Sequence, residues 1–175
     1  MDDIIWTPSP NFNERAHPIS MLVLHYTGMQ NGPDAIARMT SADAGVSAHY
    51  CVEEDGTIVQ MVEEEHRAWH AGVSRWRGME DVNGRSIGIE IVNPGHEWGY
   101  RPFTEEQLSS IIPLCAEIVR TYNIEPRNVV GHSDIAPARK DDPGELFDWH
   151  ALASRGLAVP RPAKALTDPG WTDAA

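Results

Sequence analysis

A continuous apolar run near the N-terminus is the feature that most constrains the fold. The segment SMLVLHY, residues 20–26, places apolar side chains at consecutive positions. A strand with one buried face alternates apolar and polar residues, whereas a strand that is buried on both faces is apolar throughout. The segment therefore predicts an interior strand of a sheet that is covered on both sides, with His25 near the end of the strand.

Other segments predict strands and helices that alternate along the chain. Asp55-Gly56 separates two runs of strand-forming residues, which is typical of a β-hairpin. The remaining strands are expected at 86–92 and 128–132, those of the hairpin at 46–52 and 57–62, and helices at 32–40, 104–122 and 147–156. Strands interleaved with helices predict an α/β (α+β) domain in which a central mixed β-sheet is flanked by helices.

The domain organisation follows from length and composition. The 175 residues suffice for one domain of ordinary size. We expect a single domain over 1–159 that includes an N-terminal arm, 1–18, followed by a loose C-terminal tail, 160–175. Residues 66–85 have no clear periodicity and are expected to be irregular.

The helix that follows Thr104 has the clearest boundary. Thr104 and Gln107 match a capping box, in which each side chain satisfies a backbone group of the first helical turn. An apolar stripe at helical spacing follows, and its members are Leu108, Ile111, Ile112, Cys115, Ile118 and Tyr122.

Charge and apolar content exclude several classes of partner. The chain has 14 basic and 26 acidic residues, a net charge of −12, which argues against nucleic acid or an anionic membrane as partner. The apolar runs are too short to span a bilayer, and the N-terminus lacks a secretory pattern. We expect a cytoplasmic monomer, or a periplasmic protein if a leader has been removed. Cys51 and Cys115 lie far apart and are expected to be core residues.

The segment GHSDIAPARKDDPGE, residues 131–145, predicts a shaped loop that carries groups able to bind a metal. Its prolines and glycine exclude a continuous helix. Catalytic zinc sites use three protein ligands and leave a fourth position open. His25 and His132 each end an apolar run and can supply two ligands. Asp142 can supply the third, although Asp134 and Asp141 compete for that place, and core histidines with a turn-forming Asp are an alternative.

A second pair of histidines is a weaker candidate for a metal site. His66 and His70 have helical spacing, but the helical zinc-protease motif needs Glu directly after the first His, and this chain has Arg67. We therefore do not expect a metal at this pair.

Glu90 and Lys140 are candidates for catalysis. Glu90 lies inside the strand SIGIEIV, where apolar neighbours should raise its pKa towards that of a general base. A structural ion pair explains this position equally well. Lys140 stands two residues before Asp142 and can stabilise a developing oxyanion, although an ordinary surface lysine is the simpler interpretation.

Five segments together resemble the zinc-dependent N-acetylmuramoyl-L-alanine amidases of the AmpD/AmiD-like branch, which are related to the peptidoglycan recognition proteins. These segments are LVLHYT, VSAHY, RAWHAG, SIGIEIVN and GHSDIAPARKDDPG. The resemblance implies a peptidoglycan-recognition/amidase-like fold and one Zn²⁺ per chain held by His25, His132 and Asp142. It also implies that Glu90 is the catalytic acid/base and that Lys140 stabilises the transition state. Relatives of the other branch carry a catalytic Tyr where this chain has Ala48.

The function that this resemblance implies is hydrolysis of the amide bond between N-acetylmuramic acid, including its 1,6-anhydro form, and L-alanine of peptidoglycan fragments. A non-catalytic peptidoglycan-binding module and a zinc peptidase that acts on another amide are the alternatives. The loop RAWHAGVSRWRG, 67–78, is expected to contact the muropeptide, and its candidate residues are Trp69, His70, Arg75, Trp76 and Arg77.

Overall fold

The computed structural model describes residues 4–161, which form two β-sheets and six α-helices. The strands are β1 (Ile5–Trp6), β2 (Phe12–Glu14), β3 (Met21–Tyr26), β4 (Tyr50–Val52), β5 (Ile58–Gln60), β6 (His66–Ala68), β7 (Ser86–Ile91) and β8 (Val129–Gly131). The helices are α1 (Gly32–Met39), α2 (Val82–Arg85), α3 (Gly95–Trp98), α4 (Glu105–Tyr122), α5 (His132–Ile135) and α6 (Trp149–Ala153), and 3₁₀ turns occupy Ala42–Ala44 and Pro126–Asn128.

The main sheet is mixed, as predicted. Its six strands follow the order β1-β5-β4-β7-β3-β8. Strand β3 is parallel to both of its neighbours, β7 and β8, and β4 is parallel to β7, whereas β5 is antiparallel to β4. Residues 21–25 are at most 1% exposed, which confirms the prediction of an interior strand.

Helices cover both faces of this sheet. Ile87, Ile89 and Ile91 of β7 pack in one cluster with residues of α4 and α6. On the opposite face, Ala35 of α1 packs in a cluster with Cys51 of β4. The alternation along β7 places Glu90 on the face opposite the three isoleucines, together with Ser86 and Gly88.

The predicted N-terminal arm contains two short strands, and the prediction that residues 66–85 are irregular is wrong in part, because that segment contains β6. β1 pairs with β5, and β2 pairs with β6 to form the two-stranded sheet. Strands of two or three residues are too short to show a period in the sequence, so only their pairing partners identify them. The short helix α2 also lies in the segment 66–85.

Helix α4 begins where the sequence predicted, but its buried face differs slightly from the predicted stripe. Thr104 and Gln107 form the capping box, and the Gln107 side chain also donates to the Val92 carbonyl at 2.8 Å. Leu114 is 1% exposed although it was not part of the predicted stripe, whereas Ile112 is only partly buried. The buried stripe is therefore rotated slightly towards Leu114, and each fully buried aliphatic side chain on it contributes about 1.5–3 kcal/mol.

The C-terminal end of the described chain returns to the domain. Arg161 pairs with Asp134 and stacks on the Trp149 ring, with 3.6 Å between its guanidinium carbon and the ring centroid. The rest of the predicted tail, residues 162–175, lies outside the described residues. Cys51 and Cys115 are buried free thiols, as expected. Within residues 4–161, no helix has both the length and the apolarity to cross a membrane.

Candidate metal centre

Three side chains that are distant in the sequence meet at the carboxyl ends of the central strands. His25 Nδ1 lies 3.0 Å from His132 Nδ1 and 2.9 Å from Asp142 Oδ2. His132 Nδ1 lies 3.1 Å from the same carboxylate oxygen. All three residues are buried, and the three atoms form a group that can hold a metal ion.

The sheet topology explains this convergence. His25 lies near the end of β3, and His132 begins α5 directly after the neighbouring parallel strand β8. Carboxyl ends of adjacent parallel strands share one edge of a sheet, so the two imidazoles are close together. The Ser133 amide donates to the Asp142 carbonyl at 2.9 Å, which brings the loop back over α5. The one-turn helix α5 lies inside the segment 131–145, which we predicted to be a loop.

The three atoms fit a divalent metal of the zinc type. Two imidazole nitrogens and one carboxylate oxygen are a common ligand set for catalytic zinc, and tetrahedral bonds of about 2.0–2.1 Å would separate such atoms by about 3.3 Å. The His132 Nε2 atom lies 3.0 Å from the Ala71 carbonyl oxygen, which can only accept a hydrogen bond. Nε2 therefore carries the ring proton, and Nδ1 directs a lone pair towards the other two ligand atoms.

The three aspartates among which residue spacing did not decide make different contacts in the structure. The Asp134 carboxylate accepts from the Gly131 amide at 2.7 Å and pairs with Arg161. Asp141 is exposed. Only Asp142, among the three, contacts both histidines.

Burial and mutual contacts shift the pKa values of this group. Burial lowers the pKa of His25 to about 4, and the hydrogen bond to Asp142 only partly opposes that effect. Burial alone would raise the pKa of Asp142, but the contacts with His132 and His25 outweigh that effect and hold this pKa below its usual range. The imidazole of His25 is therefore neutral and the carboxyl group ionised near pH 7, which are the forms that bind metal.

Glu90 lies beside this group. His25 and Glu90 are paired residues on the parallel strands β3 and β7, so their side chains lie on the same face of the sheet. Burial raises the pKa of Glu90 well above its ordinary value, the charge of Asp142 raises it further, and Lys140 opposes both effects. Its buried Oε2 atom has no hydrogen-bond partner among residues 4–161. This carboxyl group is suited to accepting and returning a proton.

A cavity of about 580 Å³ connects these groups to solvent, and Glu90, His132, Lys140 and Asp142 all line it. Lys140 is the only lysine or arginine among these four, and it is half-buried. The cavity therefore contains an acid with a raised pKa, a lysine side chain and two of the three candidate metal ligands.

The predicted rim residues divide into two sets. Trp69 and His70 line the cavity. Arg75 and Arg77 are exposed and, with Trp76, are not part of the described cavity lining. Trp76 packs against a neighbouring apolar cluster instead. Substrate contacts of these five residues remain predictions.

Two residues that support the site were not found from the sequence. Tyr100 donates to the Pro143 carbonyl at 2.8 Å and accepts from the Leu146 amide at 3.0 Å, so it holds the loop just after Asp142. Arg15 joins the N-terminal segment to this region. It donates to the backbone carbonyls of Glu64, His66, Asn83 and Ser86. A single Arg or Tyr in a segment without periodicity gives no signal for such contacts.

The buried histidines predict that the metal-free protein loses stability in acid. Burial lowers the pKa of His25 to about 4, that of His49 to about 3 and that of His70 well below 6.5. Because the unfolded chain binds protons near pH 6.5 and the folded protein does not, unfolding takes up protons between these values, and stability falls as the pH falls. The raised pKa of Glu90 acts in the opposite direction. The folded protein holds the Glu90 proton to a higher pH than the unfolded chain does, which reduces the net proton uptake on unfolding by up to one.

Urea denaturation of the metal-free protein at constant ionic strength, from about pH 7 to about pH 5, measures this effect. The free energy of unfolding should fall by roughly 1.4 kcal/mol per pH unit for each net proton taken up. A free energy that is constant, or that rises towards pH 5, would contradict the assignment of neutral buried imidazoles.

Comparison with known proteins identifies the relatives of this chain. It is 43% identical to N-acetylmuramoyl-L-alanine amidase AmiD of Escherichia coli K12 over 159 residues, which cover 83% of this chain and 56% of AmiD. It is 37% identical to 1,6-anhydro-N-acetylmuramyl-L-alanine amidase AmpD of Haemophilus influenzae over 166 residues, 83% of this chain and 88% of AmpD. The chain thus spans little more than half the length of AmiD.

A solved structure shares the fold. The complex of E. coli AmiD with the substrate anhydro-N-acetylmuramic acid-L-Ala-D-γ-Glu-L-Lys superposes with a TM-score of 0.73 at 41% identity, over 83% of this chain and 61% of the AmiD chain. The profile of the N-acetylmuramoyl-L-alanine amidase family matches residues 15–145, a range that includes His25, Glu90, His132 and Asp142. The chain belongs to the N-acetylmuramoyl-L-alanine amidase family.

Proposed function

We propose that this protein hydrolyses the amide bond between N-acetylmuramic acid, including its 1,6-anhydro form, and L-alanine in peptidoglycan fragments. His25, His132 and Asp142 hold one Zn²⁺, Glu90 is the acid/base, and Lys140 stabilises the transition state. All of these groups come from one chain, so the site needs no second subunit, which is compatible with the proposed monomer. The catalytic unit is the single domain 1–159.

The observation that carries this proposal is the meeting of two imidazole nitrogens and one carboxylate oxygen within 3.1 Å of one another, beside a buried carboxyl group in an open cavity. A binding module that does not cut the amide needs neither the complete ligand set nor a carboxyl group with a raised pKa. The combination therefore supports hydrolysis over binding alone.

In the reaction, a water molecule attacks the lactyl carbonyl carbon, and the bond from this carbon to the alanine nitrogen breaks. When bound, zinc supplies Lewis acidity for the scissile carbonyl and the attacking water. Glu90 accepts a proton from the water and passes it to the departing nitrogen, which leaves as an amine. The Lys140 ammonium group opposes the negative charge that develops on the carbonyl oxygen.

The proposed substrate class is supported by the relatives. AmpD is named for the 1,6-anhydro sugar, and the AmiD complex contains an anhydro-muramyl tripeptide. A cavity of about 580 Å³ lies within the usual size range of small-molecule sites. We infer a role in muropeptide recycling, for which the cytoplasmic location predicted from the sequence would be required.

Digestion of anhydro-N-acetylmuramic acid-L-Ala-D-γ-Glu-L-Lys by the zinc-loaded protein tests the function. We expect mass spectrometry to show the intact peptide L-Ala-D-γ-Glu-L-Lys and the free anhydro sugar acid, and a chelator to abolish their formation. Cleavage inside the peptide would indicate a peptidase instead. Binding without any product would indicate a receptor. The same digestion of the reducing-end muropeptide shows whether the anhydro sugar is required.

A further inference from the structure

A chain of hydrogen bonds connects the candidate metal ligand His25 to the backbone on the far side of the ring. His25 Nε2 lies 2.9 Å from His70 Nδ1, and His70 Nε2 lies 3.2 Å from Ser86 Oγ. The Ser86 hydroxyl in turn lies 2.6 Å from the Val82 carbonyl oxygen. Ser86 is fully buried and His70 is 9% exposed, so water does not easily replace these partners.

The last member of the chain sets the direction of every hydrogen bond in it. A carbonyl oxygen only accepts, so the Ser86 hydroxyl donates to Val82 and its oxygen accepts from His70 Nε2–H. Neither ring partner of His70 is an acid, and a neutral imidazole that donates at Nε2 accepts at Nδ1. His70 Nδ1 therefore accepts from His25 Nε2–H. The proton of His25 is thus on the atom that points away from His132 and Asp142, and Nδ1 is left with a lone pair.

The position of the His70 ring is itself fixed by the sheet and by a neighbouring loop. The ring lies on Gly88, where a Cβ atom would be 2.5 Å from His70 Cγ, so only glycine leaves room for it. The Asn83 side-chain oxygen accepts from the amides of His70 and Ala71 at 3.0 and 2.7 Å. Strand β7 thus supports the His70 ring in two ways. Ser86 accepts its hydrogen bond, and Gly88 leaves the space in which the ring lies.

We propose that His70, oriented by Ser86, is a positioning residue that keeps His25 in the tautomer whose Nδ1 atom is free to bind the metal. The inference rests on the proposed metal site and adds to it a support that does not touch the metal. Loss of such an outer partner typically weakens metal binding by about 10–100-fold.

Two substitutions of His70 separate hydrogen bonding from space filling. His70→Phe keeps the ring but removes the acceptor, whereas His70→Asn loses the ring but keeps an oxygen near the position of Nδ1. We expect zinc affinity, measured by competition with a chelator of known affinity, to fall by about 100-fold in His70→Phe and clearly less in His70→Asn. If His70→Phe binds zinc as tightly as His70→Asn or more tightly, the ring only fills space and the inference is wrong.

Ser86→Ala provides a milder test with a matched control. This substitution frees His70 to carry its proton on either nitrogen, so zinc affinity should fall by about 10-fold. Ser9→Ala is the control, because the Ser9 hydroxyl is also buried and donates to a helix carbonyl, that of Met39, at 2.5 Å. If Ser86→Ala and Ser9→Ala bind zinc equally tightly, the inference is wrong. This test remains decisive even if neither His70 variant folds.

The tautomer can also be measured without metal. Long-range ¹H–¹⁵N correlation spectra of the metal-free protein should show His25 protonated at Nε2, and Ser86→Ala should show a mixture of tautomers. A wild-type His25 that is protonated at Nδ1 would refute the inference whether or not zinc binds. Conversely, a wild-type protein that binds no zinc but shows the Nε2–H tautomer would refute the proposed function and leave the positioning role supported.

Discussion

Replacing Glu90 with Gln should lower kcat by about 10²–10⁴-fold while the protein retains its zinc. The amide has nearly the size of the carboxyl group, so the cavity keeps its shape, but an amide cannot accept a proton from water and return it to the leaving nitrogen. Because burial already disfavours the charged form of Glu90, a neutral side chain costs no more to bury. Steady-state kinetics on the anhydro-muropeptide, with zinc content measured on the same samples, gives the result.

The variant Glu106→Gln is the control for the same chemical change, since Glu106 is exposed on α4. It should leave kcat and stability unchanged. Thermal denaturation should show Glu90→Gln to be at least as stable as the wild type near pH 7. Because the pKa of Glu90 is raised in the folded protein, the ionisation of this group in the unfolded chain favours unfolding at neutral pH, and Gln removes that effect. Wild-type turnover in Glu90→Gln would remove Glu90 from the mechanism, and the proton would then have to be carried by another group.

The parts of the fold that could be predicted are those with long patterns. Residues 21–24, the first four of β3, form an unbroken apolar run, and β7 shows an alternation that places Glu90 opposite Ile89 and Ile91. These patterns also indicated that His25 and Glu90 would be held by a sheet. Their adjacency depends on the strand order, in which β7 lies beside β3, and no local pattern along the chain indicates that order.

The proposed third ligand is an example of what residue spacing leaves open, since only the family resemblance favoured Asp142. Asp134, Asp141 and Asp142 have the same chemistry, and all three follow His132 within the same segment, residues 131–145. Asp134 does not contact the two histidines and pairs instead with Arg161, which lies 27 positions further along the chain. Such a contact depends on how the chain returns to the domain, so local patterns do not predict it.

His70 shows a different kind of limit. The aromatic and basic loop around it predicted contact with the substrate, which stays a prediction, and gave no indication that both ring nitrogens of His70 have partners within the protein. One signal for this packing was present, because a glycine inside a strand often marks the close approach of another group. Gly88 occupies such a position in β7, although its spacing alone does not show which side chain lies on it.

Replacing Asp142 with Asn should remove both zinc binding and activity. Asn keeps the size of the side chain but supplies a neutral oxygen in place of a carboxylate, and zinc then loses the only negative charge among its proposed ligands. We expect zinc affinity to fall by more than the roughly 100-fold that loss of an outer partner costs, and kcat/KM to fall with it. Zinc titration by chelator competition, followed by kinetics at saturating zinc, distinguishes lost affinity from lost catalysis.

Asp141→Asn is the matched control, because it makes the same change at the adjacent, exposed position. It should keep zinc affinity close to that of the wild type, since Asp141 is not part of the group that can hold the metal. If instead Asp141→Asn loses the metal and Asp142→Asn keeps it, the close approach of Asp142 to His25 and His132 would be an ordinary set of hydrogen bonds. The ligand set would then have to be assigned again, because the two variants make the same chemical change and differ only in which of the two carboxylates is replaced.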